Sequence, residues 1–85
     1  MSGVDFRDQA QAREYVQRVG VEYRFGCLAE KNPQSCHLLA DYLEAIEGKF
    51  EKAFERYKSN CLDNKFAHSC YKYATYLLKG KEQID

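Results

Sequence analysis

The chain has no excess charge of either sign: thirteen Lys and Arg balance thirteen Asp and Glu over 85 residues. Affinity for phosphate backbones comes from an excess of cations, so a nucleic-acid partner is not expected. Long hydrophobic runs are also missing. The apolar stretches are a few residues long, far short of the ~20 that cross a bilayer, so membrane insertion is not expected. The opening segment from Met1 to Arg13 carries Asp5 and Asp8 and no apolar block. It reads as neither a secretory signal nor a mitochondrial presequence. No phosphate-binding loop, metalloprotease motif or catalytic carboxylate pair occurs, and the chain is not expected to be an enzyme. Nowhere do apolar and polar residues alternate for long enough to suggest a strand.

Length sets further limits. Eighty-five residues make one domain, read here as spanning 1–85. A domain of this size buries only roughly 60% of its unfolded surface. Its total stability is then on the order of 4–13 kcal/mol, and any feature contributing ~3 kcal/mol matters. The seven Tyr and five Phe are expected mainly in the core.

What the chain does have is an internal repeat. Cys27 and Cys36 recur as Cys61 and Cys70, both at an offset of 34. In the same register Tyr23 matches Tyr57, Leu28 matches Leu62, Lys31 matches Lys65 and Ser35 matches Ser69. Ala40, Tyr42 and Leu43 match Ala74, Tyr76 and Leu77. Val16 and Val19 sit opposite Phe50 and Ala53. A period of 34 is that of the tetratricopeptide helix-turn-helix unit.

The apolar spacing agrees with helices. Ala12, Val16, Val19, Tyr23 and Cys27 step by three or four, as do Leu39, Tyr42, Leu43 and Ile46. Phe50, Ala53, Phe54, Tyr57 and Cys61 form a third stripe, and Cys70, Tyr73, Ala74 and Leu77 a fourth. The punctuation predicts helices over about 7–30, 33–47, 50–64 and 68–79. Asp8 followed by Gln11 resembles a capping box. Asn32-Pro33 ends one helix and caps the next, with proline at the first helical position. Gly48 and Gly80 are placed just past helix ends, where a left-handed residue is needed. Gly20 and Gly26 fall inside the first helix and are expected to weaken it by roughly 1 kcal/mol each.

The cysteines follow from this layout. Cys27 lies in the last turn of the first helix and Cys36 in the first turn of the second. In an antiparallel hairpin those turns face each other, within bridging range. The same holds for Cys61 and Cys70. The expected disulfides are Cys27–Cys36 and Cys61–Cys70, each closing a loop of about ten residues worth roughly 2.5–3 kcal/mol. Three other uses compete. Two long helices, each carrying both cysteines of a pair, would need an unbroken helix through Pro33, at a cost of ~3 kcal/mol. A zinc site of four thiolates, or of thiolates with His37 or His68, fits poorly, because structural zinc favours ligands two to four residues apart. Reduced, buried thiols are the third. A Cys–His nucleophilic dyad lacks an orienting partner, and a cystine cannot attack. The charge pairs Glu51-Lys52 and Glu55-Arg56 read as a solvated helix face.

The run Cys36-x-x-Leu39-Ala40-x-x-Leu43, Gly48, then Lys52-Ala53-x-x-x-Tyr57-x-x-x-Cys61 resembles a Sel1-like repeat, the relative of the tetratricopeptide repeat with a glycine-marked loop. Cysteine-bearing versions occur in bacterial secreted repeat proteins and in a family of mitochondrial intermembrane-space factors that serve cytochrome c oxidase assembly. The chain is more similar to the second. The resemblance is carried by Val4-Asp5-Phe6, Val21-Glu22, Glu30-Lys31-x-Pro33-x-x-Cys36, Asp41-Tyr42-Leu43-Glu44, Asn60-Cys61 and Ser69-Cys70-Tyr71-Lys72. It implies import by the oxidative disulfide relay and support of complex IV biogenesis through protein partners among the assembly components. It also brings haem binding as a proposed family property, with no ligand assignable here beyond the availability of His37 and His68; no cofactor is otherwise expected. Family members carry more repeats than the two present here, and the chain stops at Gly80-Lys81-Glu82-Gln83-Ile84-Asp85, where the loop to a further helix is expected.

The fold expected is therefore all-α: two helix-turn-helix repeats forming a short right-handed α-solenoid stapled by two disulfides. The function expected is a non-catalytic assembly factor in the intermembrane space. The alternatives are a generic peptide-binding scaffold and a haem-handling or thiol-disulfide protein.

Overall fold

The computed structural model describes residues 7–83. They form four α-helices: α1 (Gln9–Leu28), α2 (Pro33–Ala45), α3 (Phe50–Asn64) and α4 (Ala67–Gln83). No strand occurs among the described residues. The Val4-Asp5-Phe6 segment that contributes to the resemblance lies outside them.

Two helices start on side-chain caps. Asp8 Oδ1 accepts from the Ala10 and Gln11 amides at 3.0 and 3.3 Å, which satisfies two of the orphan donors at the start of α1. Asn32 does the same for α2, accepting from Gln34 N–H at 2.9 Å and Ser35 N–H at 3.4 Å. Pro33 opens α2 at no hydrogen-bond cost, because the first helical N–H has no partner in any case. Lys49 gives α3 no side-chain cap. The carboxylate of Glu51 in its first turn instead faces the positive end of the helix dipole.

The three turns share one backbone solution. Each contains a left-handed residue, and the next amide returns to a carbonyl six residues back. Lys31 (φ 57°) precedes the bond from Asn32 N–H to Gly26 O at 3.0 Å. Gly48 (φ 65°) precedes Lys49 N–H to Leu43 O at 2.8 Å, and Lys65 (φ 58°) precedes Phe66 N–H to Asn60 O at 3.2 Å. Glycine takes this conformation freely, whereas each lysine pays about 1–2 kcal/mol for it. The two lysines are equivalent positions in the 34-residue register, so the repeat extends to the backbone of the turns.

Gly80 differs from expectation. It lies inside α4, which runs on to Gln83, rather than just past the helix end. Lys81, Glu82 and Gln83 are good helix formers, and a single glycine costs only about 1 kcal/mol. At the other end, α1 is shorter than the expected 7–30.

Each helix packs on its neighbour in sequence, most extensively α2 on α3. The molecule measures 43 × 32 × 16 Å. Its thinnest dimension is little more than one helix diameter of ~10–12 Å. The core therefore lies along the middle of the stack. Cys27, Cys36, Leu39, Ala40, Leu43, Ala53 and Tyr57 form it, with Tyr23, Tyr73 and Tyr76 packed against its edges. Ala40 and Ala53 are fully buried and let α2 and α3 approach closely. Gly20 and Gly26 do the same for α1 and α2. A Cβ on Gly20 would lie 2.6 Å from Cζ of Tyr42, and one on Gly26 would meet the Ser35 side chain. The helix propensity lost at these glycines is thus the cost of seating Tyr42 and Ser35.

Candidate functional site

Three features stand out: the cysteine staples, a polar network that joins the hairpins, and an open groove. Cys27 is bonded to Cys36 (S–S 2.08 Å, Cα–Cα 4.4 Å) and Cys61 to Cys70 (2.02 Å, 4.6 Å). No free cysteine remains among the described residues, so no thiolate is present to serve as nucleophile or metal ligand. Nor does any group of three or more His, Cys, Asp and Glu able to hold a metal occur among them. The first staple is buried and the second is half-buried.

The network joins α2, α3 and α4. Asn60, buried on α3, donates from Nδ2 to Pro33 O at 2.9 Å and to Ser69 Oγ at 2.8 Å. Asn64 donates to Asn60 Oδ1 at 2.7 Å. Ser69 Oγ also lies 2.8 Å from His37 Nδ1. Ser69 already accepts from Asn60, and its hydroxyl can still either donate to His37 or accept from it. The other ring nitrogen, Nε2, faces Asp41 Oδ2 at 3.5 Å; a carboxylate only accepts, so this contact favours the neutral tautomer protonated on Nε2, with Ser69 donating to Nδ1. Burial pushes the His37 pKa below its ordinary value. Asp41 opposes that shift, and the nearby His68 and Lys72 reinforce it.

Ser69, His37 and Asp41 thus adopt the order of a hydrolytic triad, but Ser69 is wholly buried and offers no nucleophile to a substrate. His37 and His68, kept as haem candidates, are brought together with ring centroids 6.0 Å apart. They do not make a haem ligand set: both nitrogens of His37 already face Ser69 and Asp41.

Glu44 of α2 is the second hub. It accepts from Tyr76 OH at 2.5 Å and Lys72 Nζ at 3.1 Å, both on α4, and from Tyr57 OH at 3.4 Å. Burial alone would raise its pKa, but the bonds from Tyr76 and Lys72 outweigh burial and hold it below the usual carboxylate value. Tyr57 donates to Asp41 at 2.5 Å. Burial, then these carboxylate partners, push the hydroxyls of Tyr57 and Tyr76 well above their ordinary value, so both are fixed donors. Among the described residues no buried side-chain nitrogen or oxygen lacks a partner.

Sequence reasoning placed Tyr57 on an apolar stripe and Tyr76 in the repeat register opposite Tyr42, and missed the partners of both hydroxyls. Asn60, Asp41, Glu44 and Lys72 entered only as parts of the segments that carry the family resemblance, which pointed to no hydrogen bond. Ser69 had one, its match to Ser35, which pointed to the repeat and not to the bond.

The groove has a volume of about 1720 Å³. Arg24 and Leu28 of α1 flank one side, and Thr75 to Lys79 of α4 the other. Leu39, Leu43 and Glu44 of α2 and the first two turns of α3 lie between. Glu51-Lys52 and Glu55-Arg56, expected as a plain solvated face, line it. Arg24 Nη2 reaches Glu47 at 3.0 Å, and Lys49 reaches the same carboxylate at 3.3 Å. The Arg24 hydrogen bond, more than any other contact, holds the Glu47 pKa low.

These observations define a class first: an all-helical protein of two disulfide-stapled hairpins, joined by a polar network and open along a groove. The particular relatives agree with a single group. The chain is 54% identical over 77 residues to the cytochrome c oxidase assembly factor 7 homolog of Drosophila melanogaster, an alignment covering 91% of this chain and 29% of that protein. It is 42% identical over 78 residues to cytochrome c oxidase assembly factor 7 of Xenopus tropicalis and 40% identical over 78 residues to that of Homo sapiens. Each of these alignments covers 92% of this chain and 34% of the relative. The chain thus spans about a third of the length of the curated relatives it matches. No family model matches the sequence.

Proposed function

We propose that this chain is a non-catalytic assembly factor for respiratory complex IV, acting by protein–protein interaction in the mitochondrial intermembrane space. The observation that carries this reading is the 54% identity, across 91% of the chain, to a relative named for cytochrome c oxidase assembly. The structure supplies physical support. Two cystines in so small a domain suit an oxidising compartment, and the oxidative import relay is the partner that would install them. No helix among the described residues is long and apolar enough to cross a membrane. The two hairpins are read as Sel1-like repeats starting a right-handed α-solenoid; the shared turn geometry and the consecutive packing support that reading.

The test is depletion and localisation in the source cells. Assembled complex IV should fall on native gels, with other complexes spared, and return on re-expression. The protein should be protected from protease until the outer membrane is opened, with all cysteines oxidised. A cytosolic protein with free thiols, or unchanged complex IV, would sink the proposal.

A further inference from the structure

The second hairpin is tied to the first beside both staples. Asn60 and Ser69 each precede a cysteine of the Cys61–Cys70 pair, and His37 follows Cys36 of the other. Ser69 Oγ accepts from Asn60 Nδ2 at 2.8 Å and meets His37 Nδ1 at 2.8 Å, so one buried hydroxyl links α2, α3 and α4. This tie is not part of the repeat. In the 34-residue register Asn60 matches Gly26, which has no amide side chain, and His37 matches Tyr71, which is 73% exposed.

A proton changes what the tie can hold. The neutral ring with its hydrogen on Nε2 accepts from Ser69 at Nδ1. The imidazolium carries N–H groups at both nitrogens and accepts nothing. Ser69 Oγ can then take bonds from His37 and Asn60, but neither donor can receive the Ser69 proton. Turning the Asn60 amide over to present Oδ1 would forfeit its bonds with Pro33 O and Asn64. A wholly buried hydroxyl thus loses its side-chain acceptor, where no water replaces it. The ring itself is within reach of solvent protons, with 16% of its side chain exposed.

The groups facing the ring set the balance. Asp41, on α2, favours the charged ring from 3.5 Å, and is itself engaged by the hydroxyl of Tyr57 on α3. The Tyr57 ring packs 5.5 Å from His37. From α4, His68 lies 6.0 Å away, and Lys72, paired with Glu44, adds positive charge; both oppose protonation. α1 meets α2 elsewhere, where Gly20 seats Tyr42.

We propose that the His37–Ser69 contact is a proton-operated latch: a proton on Nδ1 frees the start of α4 from α2 and loosens the second hairpin on the first, with both staples intact. The latch requires neither the assembly reading nor any partner.

The test follows the oxidised chain by NMR from about pH 8 to about pH 5, the range in which histidine changes charge. Ring nitrogen shifts should show neutral His37 protonated on Nε2. Amide-exchange protection, corrected for the intrinsic effect of pH, should fall about tenfold from Cys70 to Ala74 with the midpoint of the His37 titration, while α1 changes less than about twofold. The chain has only two histidines, so variants separate them. His37→Gln should abolish the pH dependence, and His68→Gln should keep it with the midpoint moved upward. Circular dichroism checks that both variants fold. A neutral ring protonated on Nδ1 would overturn the proposal, because Ser69 would then already be the acceptor and the added proton would go to Nε2. So would constant protection of α4, an equal fall in α1 and α4, or a pH dependence that survives His37→Gln or is lost in His68→Gln.

Discussion

The two hairpins share a period, a staple position and a turn geometry, yet their equivalent residues are buried very differently. Leu43 is 5% exposed and Leu77 48%. Cys27 and Cys36 are buried, whereas Cys61 and Cys70 are half-buried. The sequence does not account for this, because the residues match. The stack does: α2 lies between α1 and α3, and α4 packs chiefly on α3. Burial here belongs to a position in the stack more than to the residue that occupies it, as expected of quasi-one-dimensional architectures.

The sharpest way to break the comparison is a matched pair of truncations. Leu43→Ala should cost about 2–5 kcal/mol, because a covered leucine leaves a cavity, and Leu77→Ala under about 1 kcal/mol. Urea denaturation of both reads this directly, and equal losses would contradict the stacking account. Next come the staples. Both close loops of the same length, so the chain-entropy model gives each the same value, roughly 2.5–3 kcal/mol. Cys27→Ser/Cys36→Ser and Cys61→Ser/Cys70→Ser should therefore destabilise alike. Limited reductant should nonetheless open Cys61–Cys70 first, and alkylation mapping would show which thiols appear.

Smaller effects test the joint between the hairpins. Asn60→Ala should cost about 1–3 kcal/mol, since it removes a donor from Pro33 O and from the buried Ser69. The least effect is electrostatic. The pKa of His37 is lowered on folding, so its contribution is intact above the unfolded value of 6.5 and is lost as pH falls through the folded value. Glu44 and Glu47 are also lowered, and their contributions fade only below their unfolded value of 4.5. Thermal melts should thus lose stability in two windows, and His37→Gln should remove the upper one alone.

Much of the backbone was legible because it is punctuated locally. Asp8, Asn32 and Pro33 act within one turn of themselves, and the stripes from Ala12 to Leu77 need only helical spacing. The left-handed lysines were not legible, because nothing in a lysine favours that conformation; the closure of the turn imposes it. Gly20 and Gly26 were read by propensity and missed by packing, since their role depends on Tyr42 and Ser35 across the hairpin. The polar network was illegible for the same reason. Its members come from three helices, and a tyrosine on an apolar stripe does not announce where its hydroxyl ends. Gly80 failed as a stop signal because good helix formers follow it.

The nine-residue separation within each cysteine pair also has a kinetic meaning. A loop of about ten residues closes in roughly 10–100 ns, before the helices of different hairpins can find each other. Each pair therefore meets repeatedly in a chain that is otherwise unmade. An oxidant encountering that chain finds the native partners already the nearest neighbours, and a cross-pairing between hairpins must wait for a slower, longer-range collision.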